Sequence, residues 1–154
     1  MRKIVVLIIS LIILSCSSKQ QIDMKKEKKY SDIPALVKAI NDNPDMLHLD
    51  YTPSVHQLSE LGLEAVRAIL HLLDSKDKWE RLRAARVLEG VIYRLNGWKP
   101  GTGYPENSMG EQKARELLLL NGNYQADAAV EIRQSSINKW QLWLEKNNTP
   151  NGKK

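Results

Sequence analysis

The sequence is poor in cysteine and lacks phenylalanine, and each shortage limits what the chain can form. Cys16 is the only cysteine among the 154 residues, so no disulfide can form within the chain. Because Phe is absent, the large aromatic side chains are those of four Trp and five Tyr residues. The length suits one domain and is too short for two sizeable ones.

The chain also lacks a hydrophobic run long enough to stay in a membrane. Its apolar segment spans residues 4–14, whereas a helix that crosses a bilayer needs roughly 20 apolar residues. Arg2 and Lys3 precede this segment. A short positive stretch followed by a short apolar run is typical of an export signal, so we expect residues 1–15 to be cleaved.

The predicted folded part lacks a surplus of positive charge. The whole chain carries a formal charge of +5, but the excess lies in residues 1–30. Residues 31–154 contain 16 basic and 16 acidic side chains. A nucleic-acid-binding protein needs a basic surface that releases counterions from phosphates. The charge distribution therefore argues against a nucleic-acid partner.

The segment Ile13-Leu14-Ser15-Cys16 resembles the lipobox of bacterial lipoproteins. The resemblance implies that the Cys16 thiol accepts a diacylglyceryl group and that Cys16 becomes the first residue after cleavage. Two or three acyl chains give stable anchoring, since each buried methylene contributes about 0.8 kcal/mol. By resemblance to enterobacterial sorting, where Asp after the cysteine favours inner-membrane retention, Ser17 favours the outer membrane. We expect a lipid-anchored protein of the bacterial cell envelope.

Residues 16–30 follow as a Lys-rich tether without apolar periodicity. Such a segment buries too little apolar surface to offset its ordering entropy, so we expect it to be disordered. We interpret it as a spacer between membrane and domain. Contact of its lysines with anionic headgroups is the alternative. The last residues, 148–154, are expected to form a disordered tail.

Residues 31–147 show apolar side chains at helical spacing, and no segment is typical of a strand. We predict an all-α domain of about five or six helices. Ser31 or Asp32 is expected to cap the first helix, and Thr52-Pro53 to open the second, which ends at Gly62. The third helix is expected to cover about 63–73. Capping boxes at Asp77–Glu80 and Ser108–Glu111 are expected to open the next two helices, and the last is expected to cover about 127–146, with a break at Ser135-Ser136 left open. The fourth helix is expected to turn Leu82, Ala85, Leu88, Ile92 and Leu95 to one side.

Within this domain, residues 53–95 resemble bacterial HEAT repeats. Leu61-Gly62-Leu63-Glu64-Ala65-Val66 and the following leucines match the turn and helix of that family, and Arg83-Ala84-Ala85-Arg86-Val87-Leu88 matches the next helix. The resemblance implies a short α-α superhelical stack of antiparallel helices. Members of the family generally act as interaction scaffolds. With two or three helix pairs, the stack would be a compact domain more than a long solenoid.

Few residues point to catalysis or to a cofactor. His48, Asp50 and His56 could supply metal ligands, but their spacing matches no familiar site. No nucleophile elbow is present, and Gly101 and Gly103 lack the Lys-Ser/Thr of a phosphate-binding loop. We predict a protein without a catalytic, metal or cofactor site, and therefore not an enzyme.

The segment 97–110 is rich in Gly and Pro and interrupts the helical pattern. Loops of this length inside a compact domain are usually functional or disordered. Trp98, Lys99 and Tyr104 are candidate partner-binding residues, because rigid aromatic side chains often anchor interfaces. The alternative is that the loop folds back and closes one end of the helical stack.

Three functions follow from these observations. The first is a non-enzymatic module that binds another envelope protein through a helical face and the 97–110 loop. The second is glycan or peptidoglycan binding, in which Trp98, Tyr104, Trp140 or Trp143 stack on sugar rings, although Trp140, Trp143 and Trp79 are better explained by packing. The third, an envelope hydrolase, requires a polar pocket around His48, Asp50 and His56.

Overall fold

The computed structural model describes residues 32–147. From Ile33 onward these residues form six α-helices and one 3-10 helix, with no β-strand among them, which confirms the predicted all-α class. The elements are α1 (Ile33–Lys38), α2 (Pro53–Ser59), α3 (Leu63–Ile69), the 3-10 helix (Leu70–Asp74), α4 (Lys78–Leu95), α5 (Gly110–Leu120) and α6 (Val130–Lys146).

Several sequence-based predictions fall outside the described residues. These are the export signal 1–15, the acylated Cys16, the tether 16–30, the cap at Ser31 and the tail 148–154. Across residues 32–147, no helix combines the length and the apolar composition that crossing a bilayer requires.

Helix α4 is the centre of the fold, since it contacts α2, α3, the 3-10 helix and α5. One side of α4 enters the core, and its buried apolar residues are Ala84, Ala85, Val87, Leu88, Val91 and Ile92. Ala84 is fully buried, and its short side chain allows neighbouring helices to come close. Leu95, which the helical pattern placed on the same side, is instead 53% exposed. The prediction for Leu95 was therefore wrong: it is the last residue of α4, and its side chain lies outside the core that buries Val91 and Ile92.

Helices α2 and α4 approach each other most closely at Gly90. A Cβ atom added to Gly90 would lie 2.6 Å from Oγ of Ser59, so glycine is required there. The Ser59 hydroxyl donates to the carbonyl of Val55 at 2.7 Å. The Ser59 hydroxyl is therefore buried with its hydrogen-bond donor satisfied.

Two predicted helix caps are present. Thr52 Oγ1 accepts from the Val55 amide at 3.2 Å and donates to the carbonyl of Ile40 at 3.1 Å, which ties α2 to the end of the α1 segment. Asp77 Oδ1 accepts from the Trp79 amide at 2.7 Å. The Asp77 amide donates to Ser75 Oγ at 3.1 Å, so Ser75 takes the place that Glu80 would have in a reciprocal capping box.

Other predicted helix ends were wrong. Helix α2 ends at Ser59 with Glu60 as its C-cap, and Gly62, with φ of 70°, is instead the N-cap of α3. Helix α5 begins at Gly110 after Met109, without a side-chain cap, so Ser108 does not open it. The final helix is continuous through Ser136, whose hydroxyl donates to the carbonyl of Asn121 at 2.6 Å. This bond holds α6 against the turn after α5 and explains why the serines do not break the helix.

The C-terminal part closes the core with two aromatic side chains. Trp140 is fully buried and meets the half-buried Trp143 edge-to-face at 5.6 Å between ring centroids. Tyr124 is buried, and its hydroxyl donates to the carbonyl of Leu73 at 2.5 Å. These contacts confirm that Trp140 belongs to the packing of the domain.

Replacement of Trp140 by alanine should lower the free energy of unfolding by about 3–5 kcal/mol, because it removes a fully buried aromatic side chain and leaves a cavity. Trp79→Ala is the matched control, since Trp79 is 40% exposed. Urea unfolding followed by circular dichroism measures both changes. Equal losses for the two variants would contradict the assignment of Trp140 to the core.

The stability of the domain should fall in alkali partly through Tyr124. Burial raises the pKa of Tyr124 from 10.0 to about 12. The folded state favours the neutral phenol, so this preference contributes to the free energy of unfolding. The contribution of Tyr124 is complete below pH 10 and is lost as the pH rises through about 12. Urea unfolding between pH 9 and 12 should show a shallower decline for Tyr124→Phe than for the wild type. Parallel declines would show that Tyr124 ionises equally in both states.

Candidate ligand-binding groove

Three neighbouring cavities of about 420, 250 and 600 Å³ share lining residues, and we call the surface that lines them the aromatic groove. Tyr51 and His56 line both the first and second cavities. Tyr93 and Trp98 line both the second and third. The remaining lining residues are Asp45, His48, Ser59, Arg86, Glu89, Gly90, Arg94, Tyr104, Glu111, Arg115, Leu118, Leu119 and Asn123.

The central part of the aromatic groove is one face of α4. Arg86, Glu89, Gly90, Tyr93 and Arg94 follow the helical spacing i, i+3, i+4, i+7, i+8, so they share that face. Each is half-buried, whereas the apolar residues of α4 enter the core. The groove and the core therefore use different faces of the same helix.

The 97–110 loop and α5 form the other end of the aromatic groove. The Trp98 amide donates to the carbonyl of Tyr93 at 3.0 Å, which folds the loop back over the end of α4. Lys99 and Gly103 exchange two backbone hydrogen bonds of 2.9 Å across a tight turn, where Gly103 has φ of 71°. Trp98 and Tyr104 are half-buried and both line the largest cavity. The Lys99 side chain is exposed and lies outside the groove lining.

Two arginine side chains of the aromatic groove form ion pairs with carboxylates. Arg86 Nε lies 2.5 Å from Asp50, and Arg86 Nη1 lies 2.6 Å from Glu89. Partial burial disfavours the Arg86 cation, but these two hydrogen bonds outweigh that effect and raise its pKa. At the other end Arg115 lies 2.5 Å from Glu111. The Arg86 pairs are half-buried, whereas the pair of Arg115 with Glu111 is exposed and therefore weaker.

Arginine side chains also position two of the rings. The guanidinium of Arg94 lies 5.0 Å from the Trp98 ring centroid, and that of Arg86 lies 5.8 Å from the Tyr51 centroid. Both distances suit a cation–π contact. Burial raises the pKa values of Tyr51, Tyr93 and Tyr104. Burial therefore favours the neutral phenols of the groove further, and the hydroxyl of Tyr104 is itself buried without a hydrogen-bond partner.

The residues considered for a hydrolase or metal site lie at the first cavity. His56 stacks on Tyr51 at 5.2 Å, and His48 meets the same ring edge-on at 6.4 Å. Asp50 pairs with Arg86. The backbone amides of Leu47 and His48 lower the pKa of Asp45. Among residues 32–147, no group of three or more His, Cys, Asp or Glu side chains could hold a metal ion.

A further cavity of about 400 Å³ lies between α3, the 3-10 helix and α6. Its apolar lining is Leu70, Ile137 and Leu144. Arg67 is committed there to Glu64 at 2.9 Å and to the Leu144 carbonyl at 3.4 Å. This cavity shares no lining residue with the aromatic groove.

Comparison of the chain with models of protein families, with curated proteins and with solved structures finds no match.

Two of the three candidate partner-binding residues, Trp98 and Tyr104, line the aromatic groove, and the residues of α4 that line it were not among the candidates. Trp98 and Tyr104 were predicted from the loop itself, whereas Tyr51, Tyr93 and Arg86 were not predicted. One signal was available, because a glycine inside a long helix shares its face with Tyr93 and three charged residues. Tyr51 gave no local signal, since only the tertiary fold brings it beside Arg86.

Gly110 joins the two ends of the loop, so its replacement by alanine should disturb both fold and groove. A Cβ atom there would lie 2.1 Å from the Asn96 carbonyl oxygen and 2.9 Å from Cδ1 of Tyr104. We expect Gly110→Ala to lower the free energy of unfolding by about 1–3 kcal/mol, as overpacking does. Urea unfolding measures it, with the exposed Ser108→Ala as control. An unchanged or increased stability for Gly110→Ala would contradict the close contact.

Proposed function

We propose that this protein is a lipid-anchored, non-enzymatic binding module of the bacterial cell envelope that holds another envelope protein in the aromatic groove. The observation that carries the proposal is the groove itself, in which four half-buried aromatic residues and mutually paired charges line adjoining cavities. Aromatic and arginine side chains are the residue types that most often anchor protein interfaces. The four aromatic residues are Tyr51, Tyr93, Trp98 and Tyr104.

The location rests on the N-terminal sequence. The lipobox-like segment that ends at Cys16 supports acylation, and the apolar run before it supports export. Residues 16–30 then serve as a spacer, and Ser17 supports sorting to the outer membrane. The resemblance of residues 53–95 to HEAT repeats supports a role as an interaction scaffold, although a fold alone does not determine function.

The contacts of the polar residues support binding rather than catalysis. Asp50 is occupied by Arg86 at 2.5 Å, and His48 and His56 both contact the Tyr51 ring. A general acid–base pair needs a base within hydrogen-bond reach of the group that it deprotonates. Here the titratable groups bind one another or an aromatic ring.

Glycan binding is the second candidate, and one cavity favours it. The 600 Å³ cavity combines the rings of Tyr93, Trp98 and Tyr104 with the polar side chains of Glu111, Arg115 and Asn123. Stacking rings beside hydrogen-bonding groups could hold a sugar. Trp140 cannot take part, because it is fully buried in the core.

Site-specific photocrosslinking in intact cells tests the proposal. A photoreactive residue at exposed Thr102 in the loop should capture a specific envelope protein, identified by mass spectrometry, whereas one at exposed Lys139 on α6 should not. Trp98→Ala with Tyr93→Ala should abolish the Thr102 crosslink, and Trp79→Ala should leave it. Crosslinks to lipid alone, or the same products from both positions, would argue against a protein partner at the groove. Loss of crosslinking on addition of peptidoglycan fragments would favour the glycan alternative.

A further inference from the structure

The charges of the aromatic groove limit the charge of its occupant. Arg86 pairs with Asp50 and Glu89, Arg115 pairs with Glu111, and Arg94 lies 4.0 Å from Glu60. A phosphorylated or strongly acidic segment is normally recognised by arginines that are free to form bidentate bonds with it. Each groove arginine already has a carboxylate beside it. The groove is therefore complementary to a ligand without net charge.

The backbone around the aromatic groove excludes pairing with a partner strand. In residues 32–147 the single β-bridge joins Lys99 to Gly103 within one tight turn. Strand addition needs an exposed sheet edge with a row of unpaired amides and carbonyls. A partner that binds here is recognised through side chains instead.

The lining also differs from that of a groove that accepts an amphipathic helix. Such grooves present a continuous hydrophobic surface to apolar residues at i, i+3, i+4 and i+7 of the bound helix. In the aromatic groove the two aliphatic lining residues, Leu118 and Leu119, both lie at the α5 end. The remainder is aromatic or polar, which does not match an apolar helix face.

Aromatic rings that carry hydrogen-bond donors suit a polyproline II segment. This helix has three residues per turn, lacks internal hydrogen bonds and leaves its carbonyl oxygens available as acceptors. Its proline rings pack into aromatic-lined grooves, and little conformational entropy is lost because proline is already restricted. Tyr51, Tyr93, Trp98 and Tyr104 supply such rings, and Arg94 and Arg86 hold two of them in place.

We propose that the aromatic groove binds an extended, uncharged, proline-rich segment of a partner protein. This inference rests on the proposed function, in that it specifies which part of a protein partner occupies the groove. The proline rings of the segment pack against Tyr93 and Trp98, each of which lines two of the cavities. The hydroxyls of Tyr51 and Tyr93 and the indole N–H of Trp98 donate to carbonyls of the bound segment, whereas the Tyr104 hydroxyl is buried and Tyr104 contributes its ring.

Titration of the full-length chain in lipid nanodiscs with a neutral peptide of Pro-Pro-Ser repeats tests the inference. Calorimetry should detect binding, and the indole resonance of Trp98 should shift while that of Trp79 stays in place. A peptide with alanine in place of proline should bind at least about tenfold more weakly, as should the Trp98→Ala variant, since one anchoring ring is typically worth that much. Trp79→Ala should bind as the wild type does.

Other outcomes separate this inference from the proposed function. Equal affinity for the proline and alanine peptides, or no binding of either, would overturn the proline-rich assignment. If the Thr102 crosslink to an envelope protein nevertheless forms, the proposed function stands and only the nature of the segment is wrong. Tighter binding of a peptidoglycan oligosaccharide or of a phosphopeptide at Trp98 would also overturn the inference. Tyr93→Phe, which keeps the ring and removes the hydroxyl donor, should weaken peptide binding less than Trp98→Ala, and unchanged binding would contradict a hydrogen bond from the Tyr93 hydroxyl to the peptide.

Discussion

The close packing of α4 against α2 is the constraint on which the rest of this structure depends. Gly90 faces Ser59 with no room for a Cβ atom, and the Ser59 hydroxyl is satisfied within its own helix. This contact and the burial of the apolar residues of α4 are both met by one rotation of the helix about its axis. Its apolar side then lies in the core, and the face that carries Arg86, Glu89, Tyr93 and Arg94 becomes half-exposed. The same orientation of α4 thus serves the core and the aromatic groove together.

Buried and half-buried arginines extend the effect of this contact to the irregular segment between α1 and α2. Arg83 is buried, and its guanidinium donates to the Leu49 carbonyl at 2.9 and 3.2 Å and to the Asn41 side chain at 2.6 Å. Arg86, three residues further along α4, forms an ion pair with Asp50. Since leaving a buried donor unsatisfied is costly, these bonds keep the segment in one conformation. Tyr51 is positioned at the groove as a consequence.

The sequence predicted those features that have a local cause. Apolar spacing identified the helices, and Thr52 and Asp77 act at helix starts because capping involves residues within one turn. The start of α5 was misplaced, since Ser108 has a suitable side chain but Gly110 must sit against Asn96 and Tyr104. Half of the aromatic groove was missed for the same reason. Contacts such as Tyr51 with Arg86 depend on tertiary packing, which a single sequence does not display.

The distribution of aromatic residues also supports the proposal that the groove is a binding site. The core is built almost entirely of Ile, Leu, Val and Ala, with Trp140 and Tyr124 as its buried aromatic members. Three of the five tyrosines and one of the four tryptophans instead line the groove. In a sequence without Phe, every one of these rings carries a donor at its edge. Burying such a donor without a partner is costly, and the indole N–H of Trp140 and the hydroxyl of Tyr104 are buried in this way. The donors of Tyr51, Tyr93 and Trp98 are those that a polar ligand in the groove would satisfy while it packs against the rings.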